Sequence, residues 1–263
     1  MKGRFELGRA SASLAVGLVI ATAIGACAPR IEVTQGECRP VHGSDVCVWS
    51  ETADSRVRSF GATIPIGSIE NAPADAPMVW PPAANATIPL PENVAAATGF
   101  KVLTIYWEAH GHPPGPFLTP HFDFHFYAMT PAEIDAIDCA DLTKPSAAPA
   151  AYELPDIEIP GIGNLVGLCV PKMGMHALAS AEMAATVPFT GTMVVGYNVG
   201  APIFIEPMIS KESLMARKSF TLAVPAVPGA PTGVLYPTAF RADYDSTANA
   251  YRFVFSGMGT GTP

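Results

Sequence analysis

Residues 120–127 constrain the fold more than any other segment, because their side chains alternate strictly in chemical type. The segment reads PHFDFHFY. Successive side chains of a β-strand point to opposite faces, so aromatic rings occupy one face and ionisable groups the other. The two sets are Phe122, Phe124 and Phe126 on one face and His121, Asp123 and His125 on the other. The alternation predicts a strand whose phenylalanine face belongs to the core.

The ionisable face of this strand indicates a metal site. A solvated face would more often carry Lys, Thr, Ser or Glu, whereas imidazole and carboxylate are ligands that zinc and other transition metals prefer. Cα atoms two residues apart on a strand are roughly 6.6 Å apart, which suits chelation, but His121 and His125 are about 13 Å apart. A bulge would bring them closer. Without a bulge, Asp123 would bind the metal together with only one of the two histidines, or it would hydrogen-bond to a metal-binding imidazole and orient that ring.

Further ligands must come from other segments. His110 and His112 form an HxH pair in the loop before the strand, and His176 follows Met-Gly-Met. Glu206 is an isolated acid in the apolar stretch PIFIEPM, where burial is costly unless it is paired or binds a cation. The expected ion is a divalent transition metal such as zinc. The favoured nitrogen ligands are His121, His125 and His176, the oxygen ligand is Glu206 or Asp123, and His112 is the next candidate.

Less specific interpretations of these residues stay open. Each histidine can be an ordinary hydrogen-bonded group, and Glu206 can form an internal salt bridge with a lysine or arginine. Met173, Met175 and Met183 lie near His176. Thioethers are soft ligands that would favour copper(I), but methionine also fills irregular cores readily.

Short strands punctuated by proline and glycine predict a mainly β fold, either a sandwich or a barrel-like antiparallel domain, with two short helices. The expected strands are residues 101–108, 120–129, 187–197, 201–208, 219–224, 233–240 and 251–257. Asn198-Val199-Gly200 predicts a hairpin turn. Thr130 and Glu133 predict a capping box for a helix reaching about Cys139, and Ser210 predicts the cap of a second helix. The proline-rich residues 72–98 predict loop and edge strand.

The start of the chain predicts export. Three basic residues precede an uncharged apolar run at residues 14–26. A helix of this length reaches only about 20 Å, which is too short to span a bilayer. The run ends in Ile-Gly-Ala-Cys, which resembles the lipobox of bacterial lipoproteins, and the resemblance implies a signal peptide at 1–26 and a lipid on Cys27. Ordinary cleavage near Ala26 is the alternative. Ala28 gives no sign of inner-membrane retention, so we expect a membrane-anchored envelope protein at the outer membrane or periplasmic face.

The other cysteines fit an oxidising compartment. Cys38, Cys47, Cys139 and Cys169 are even in number, and no CxxC spacing suggests a zinc site. The simplest pairing joins Cys38 to Cys47 and Cys139 to Cys169, although three connectivities exist. We expect residues 27–55 to form a tether with a disulfide loop and residues 56–263 to form a single β-rich domain.

Charge and motifs exclude several functions. The net charge is −8, and removal of the signal would make it more negative. An acidic surface without basic clusters argues against nucleic-acid binding. GxSxG, HExxH and P-loop patterns are absent from the sequence. A metal-assisted hydrolase or oxidoreductase fits the chemistry, but no reaction is indicated.

Several motifs together resemble a domain-of-unknown-function family of exported bacterial proteins. They are the GHPPG loop at 111–115, PHFDFHFY at 120–127, MGMH at 173–176 and EPM at 206–208. The resemblance covers about residues 55–217. It implies shared polar positions at His112, His121, Asp123, His125, His176 and Glu206, and it names no reaction.

Two functions from different classes follow. The first is a lipid-anchored envelope protein with a His/carboxylate metal site. The second is a non-catalytic envelope module that binds a partner or assembles with copies of itself. The two overlap if the metal lies at a subunit interface.

Overall fold

Two antiparallel sheets packed face to face form the body of the protein. The computed structural model describes residues 30–259, so the signal segment at 1–26 and Cys27 lie outside the described residues. The first sheet contains β1 (Ile31–Val41), β2 (Ser44–Ala53), β3 (Arg56–Pro65), β13 (Phe220–Leu222), β14 (Ala239–Asp245) and β15 (Ala250–Ser256). Its strand order is β1-β2-β3-β15-β14-β13. The expected mainly β class is therefore confirmed, as a sandwich.

The second sheet carries the histidine strand near its centre. It contains β4 (Ala86–Pro89), β5 (Val102–Glu108), β6 (His121–Tyr127), β7 (Tyr152–Glu153), β10 (Met175–Ala179), β11 (Gly191–Asn198) and β12 (Ala201–Ser210). The order is β4-β5-β6-β12-β11-β10-β7, and a separate hairpin pairs β8 (Ile157–Ile159) with β9 (Gly163–Leu165). The hairpin turn at 198–200 is confirmed between β11 and β12, where Val199 and Gly200 have positive φ.

Five short helices connect the strands. They are α1 (Ile66–Glu70), α2 (Glu92–Thr98), α3 (Pro131–Asp135), α4 (Ser180–Met183) and α5 (Lys211–Met215). Both predicted caps are present, since Thr130 and Glu133 form a reciprocal capping box and the Ser210 hydroxyl accepts from the Ser213 amide. The helix that begins after Thr130, α3, ends at Asp135 rather than near Cys139. Among residues 30–259, no helix has the length and apolar character needed to cross a bilayer.

Two expectations about chain organisation need correction. Residues 31–53, assigned to a tether, form β1 and β2 of the first sheet, because β2 buries Val46 and Val48 in the core. Residues 233–240, expected to be a strand, are mostly irregular, and β14 begins only at Ala239. Pro231 lies just before that segment and Pro237 lies within it, and a proline cannot donate to a sheet ladder.

The phenylalanine face of β6 fixes the strand against the first sheet. The ring centroids of Phe124 and Phe253 are 4.9 Å apart, and those of Phe126 and Phe255 are 5.0 Å apart. These rings are fully or almost fully buried. Because side chains alternate with period two, slipping β6 by one residue would move every ring out of this core, so packing sets the register of the opposite face too.

Loops and short helices cover the outer face of the second sheet. Phe117, Ile134, Ile137, Leu168 and Phe189 pack there as a second apolar cluster. All seven residues of β6 are consequently buried, although only one face of the strand is apolar. A disulfide joins Cys139 to Cys169 within this cover, and the Lys172 amide donates to the Ile137 carbonyl at 2.8 Å.

Both expected disulfides, Cys38–Cys47 and Cys139–Cys169, are present, which is typical of an oxidising, extracytoplasmic compartment. The first bridges neighbouring strands of one hairpin. The second closes a sequence separation of 30 residues between two covering segments. Only the Cys139–Cys169 disulfide therefore links segments of the layer that covers β6.

We expect Cys139→Ser/Cys169→Ser to destabilise the protein by about 3.6 kcal/mol, as loop closure over this length predicts. The same variant should lose hydrogen-exchange protection at the Lys172 amide. Cys38→Ser/Cys47→Ser is the matched control, and it should leave that amide protected. Equal protection loss in both variants, measured by hydrogen-exchange mass spectrometry, would contradict this role for the second disulfide.

Candidate metal centre

The outer face of β6 brings the ionisable side chains together with those of its neighbours. On β5, Glu108 pairs with His121 and Tyr106 pairs with Asp123. On β12, Phe204 pairs with Tyr127 and Met208 with Asp123, so Glu206 lies on the same face across from His125. The strand order therefore places a carboxyl from β12 next to an imidazole from β6.

His176 reaches this cluster from β10, which two strands, β12 and β11, separate from β6. Its backbone partner on β11 is Gly196. A Cβ at Gly196 would lie 1.8 Å from the Phe204 ring, so only glycine leaves space for that ring there. The Phe204 ring then packs against both His125 and His176, with centroid distances of 4.6 and 5.2 Å. Gly196 thus lets one aromatic ring support two candidate ligands.

His125, His176 and Glu206 form the first group. The His125 Nε2 atom lies 3.5 Å from the His176 Nε2 atom and 3.3 Å from a Glu206 carboxylate oxygen. All three side chains are buried, and their ligating atoms lie within 4.8 Å of one another. Two imidazole nitrogens and one carboxyl oxygen can converge on a single ion here.

His112, His121 and Asp123 form the second group. The His121 Nε2 atom lies 3.3 Å from one oxygen of Asp123, and the His112 Nε2 atom lies 3.9 Å from the other. His112 comes from the Gly/Pro loop before β6, and its side chain keeps 32% of its surface exposed. This group has the same two-imidazole, one-carboxyl composition as the first.

Backbone carbonyls set the orientation of three of the four rings. The Nδ1 atoms of His112, His121 and His176 lie 2.8, 2.7 and 3.0 Å from the carbonyls of Pro113, Thr119 and Leu168. A carbonyl only accepts, so each Nδ1 donates, and a neutral ring then keeps its lone pair on Nε2. In all three rings the Nε2 atom points toward the other candidate ligands of the same group. This arrangement of Nδ1–H on a carbonyl and free Nε2 is typical of histidines that bind metals.

Several polar atoms in the two groups are buried without a hydrogen-bond partner. They are His121 Nε2, Asp123 Oδ1, His125 Nδ1 and Glu206 Oε2, as judged over the described residues. A buried polar atom left unpaired costs about 1–3 kcal/mol. Three of these four atoms are the ones that a cation in either group would contact.

Burial disfavours the charged form of every side chain in the two groups, and a cation would reverse this effect at the carboxyls only. Desolvation raises the pKa of Glu206 to about 8 and the pKa of Asp123 well above its usual range, the latter also because Glu206 is close. Desolvation lowers the pKa of His176 to about 4 and the pKa values of His121 and His125 well below theirs. A divalent cation would favour ionised carboxylates beside neutral imidazoles, which is the ligand state that metals need.

The structure brings all six candidate metal residues into these two groups, with a different division from the one expected. His121 and His125 lie on the same face but belong to separate groups, because β6 pairs with β5 without the bulge that would bring them together. His112, expected only as a further candidate, completes the His121 group.

His42 and Met175 lie outside both groups. The His42 Nδ1 atom meets the Ser68 carbonyl, and Met175 is buried in the core between the sheets, which removes Met175 from any copper set. Tyr106 is the neighbour that sequence reasoning missed. It lies on the same face of β5 as Glu108, and this period-two spacing was the available signal.

A cavity of about 290 Å³ opens onto both groups. It is lined by His112, Asp123, His176 and Glu206, together with Glu108. Burial raises the pKa of Glu108 to about 7. An ion in either group would therefore face the cavity, where a further ligand can reach it.

Comparisons of the chain with protein-family models, with curated proteins and with solved structures find no match.

The metal-free protein should lose stability as the pH rises from 6.5 to 8. The folded-state pKa of Glu206 is raised from 4.5 to about 8, so the native state holds a proton that the unfolded state has released. The lowered pKa values of His176, His121 and His125 act oppositely, but mainly below about pH 7, because unfolded histidines titrate near 6.5. Glu206 alone should contribute a loss of about 2 kcal/mol across this window.

Urea denaturation of chelator-treated protein at several pH values measures this loss. Glu206→Gln should flatten the profile, whereas Glu158→Gln at an exposed site should not. A wild-type profile that rises between pH 6.5 and 8 would contradict the assignment. Saturating zinc should reverse the slope, because deprotonated ligands bind the ion.

Proposed function

We propose that this protein is a metal-binding protein of the bacterial cell envelope, anchored to a membrane by a lipid on Cys27. The single observation that carries the metal proposal is the convergence of His125, His176 and Glu206, three buried ligands from three different strands. Their nitrogen and oxygen atoms suit zinc, manganese and iron(II), and of these we expect zinc.

We further propose that each group holds its own ion. Each offers two imidazoles and one carboxyl, and the neighbouring carboxyls of Asp123 and Glu206 join the two groups. Two divalent ions would compensate a pair of buried carboxylates whose ionisation is otherwise suppressed by burial and mutual repulsion. Three protein ligands also leave coordination positions free, as in catalytic zinc sites, and those positions would face the cavity.

The envelope location is supported by two kinds of evidence. The chain begins with an export-like segment that ends in Ile-Gly-Ala-Cys, and the domain contains two disulfides. The motifs of the exported family described above, which include all six ligand positions, are consistent with this location. Self-assembly, the alternative function, stays a prediction.

Protein purified without a histidine tag should contain about two equivalents of metal by elemental analysis. His176→Ala and His112→Ala should each retain about one equivalent, because each removes a ligand from one group only. His42→Ala is the matched control and should keep both ions. Metal should also raise the melting temperature, since an ion that binds only the native state stabilises it.

Other stoichiometries would decide between the groups. One equivalent in the wild type that both variants lose would show a single shared ion and contradict the two-ion arrangement. Less than a tenth of an equivalent, with a melting temperature that chelation does not change, would contradict metal binding altogether.

The lipid anchor is tested separately at the N-terminus. Mass spectrometry of the N-terminal peptide from membrane fractions should find Cys27 as the first residue, carrying acyl chains. Two such chains bind a membrane firmly, at about 0.8 kcal/mol per buried methylene. Cys27→Ser should abolish the modification. An unmodified Cys27, or cleavage at another bond, would refute the anchor without affecting the metal proposal.

A further inference from the structure

The cavity beside the two groups is lined by two kinds of side chain. Its polar lining includes the ligands Asp123, His176 and Glu206. Its apolar lining comes from separate segments, among them Val170 and Met173, Ile162 and Leu165 of the β8–β9 hairpin region, and Met78 and Trp80 of the proline-rich loop. A molecule inside would therefore contact apolar carbon as well as the candidate metal ligands.

The charge of the lining disfavours anions. Among the described residues that line the cavity there is no lysine or arginine, whereas Glu108, Asp123 and Glu206 all contribute carboxyls. Pockets for carboxylates or phosphates normally supply arginine, lysine or backbone amides as partners. An anion here would find attraction only at the ions, beside carboxylates that repel it.

The size of the cavity limits the occupant. Its volume of about 290 Å³ lies at the lower end of the range for ligand sites. Liquid water occupies about 30 Å³ per molecule, so the space corresponds to roughly ten molecules of that size. Met78 and Trp80 remain 70% and 39% exposed, so part of the apolar lining is open to solvent.

We propose that the cavity binds a small, uncharged and mainly apolar molecule of roughly ten non-hydrogen atoms, which directs a neutral nitrogen or oxygen donor at the ion held by His125, His176 and Glu206. This inference rests on the proposed metal binding and adds the class of ligand to it. The apolar body of the ligand packs against the hairpin and the proline-rich loop, and its donor atom occupies a position that the protein ligands leave free.

Cobalt(II) in the full chain gives a visible spectrum that reports a new ligand on the metal. The probes are 4-phenylimidazole, imidazole and benzoate, titrated at pH 8, where both azoles are neutral. We expect 4-phenylimidazole to bind about ten- to a hundredfold more tightly than imidazole, because the cavity removes its ring from water. Benzoate, which has a ring but carries a negative charge, should bind at least about tenfold more weakly than 4-phenylimidazole.

Two matched variants on the β8–β9 hairpin test where the phenyl ring of 4-phenylimidazole binds. Ile162→Ala removes part of the wall and should weaken 4-phenylimidazole about fivefold while leaving cobalt content and imidazole affinity unchanged. Asn164→Ala changes an exposed residue of the same hairpin that does not line the cavity, and it should change neither affinity.

The outcomes separate this inference from the function on which it rests. Three results would overturn the ligand class and leave metal binding intact, provided that the chain binds cobalt. They are equal affinities for the two azoles, tightest binding of benzoate, and no spectral response to any probe. A chain that takes up no cobalt would overturn both. An unchanged 4-phenylimidazole affinity in Ile162→Ala would refute the assigned position of the ring.

Discussion

The desolvation of the ionisable face of β6 is the constraint on which the rest of the structure depends. A strand buried on both faces is normally apolar on both. Here one face carries His121, Asp123 and His125, yet loops and short helices leave all three buried. Because the carboxyls cannot ionise cheaply in that environment, their surroundings must supply a proton or a cation. The covering layer therefore determines the chemistry of the site as much as the ligands do.

The core between the sheets and the site on the outer face are two consequences of one register. Phe124 and Phe126 hold β6 against the first sheet, and the same alternation aims the histidines at the opposite side. Register also brings Glu206 across from His125, because β12 pairs with β6 without a bulge between Phe204 and Ser210. Packing energy from the phenylalanines thus positions groups that contribute little stability themselves.

Local patterns predicted the elements and the candidate residues but not their grouping. Period-two alternation identified β6 and its two faces, and short spacing identified the Cys38–Cys47 pair. The division of the ligands into two groups depends on strand order, in which β12 and β11 separate β6 from β10. That order is set by contacts between residues distant in sequence, which spacing does not encode. The role of His112 depends on how the loop before β6 folds back over it.

The cost of the site is itself an argument that it has a function. Asp123 and Glu206 are buried beside each other, and the described residues place no lysine or arginine within salt-bridge distance of either. Replacing such groups with apolar residues of similar volume is often neutral or stabilising. Selection for stability alone would therefore favour leucine or methionine at these positions. Two adjacent carboxyls, with three histidine rings locked by backbone carbonyls, make physical sense if a cation offsets the cost of burying them.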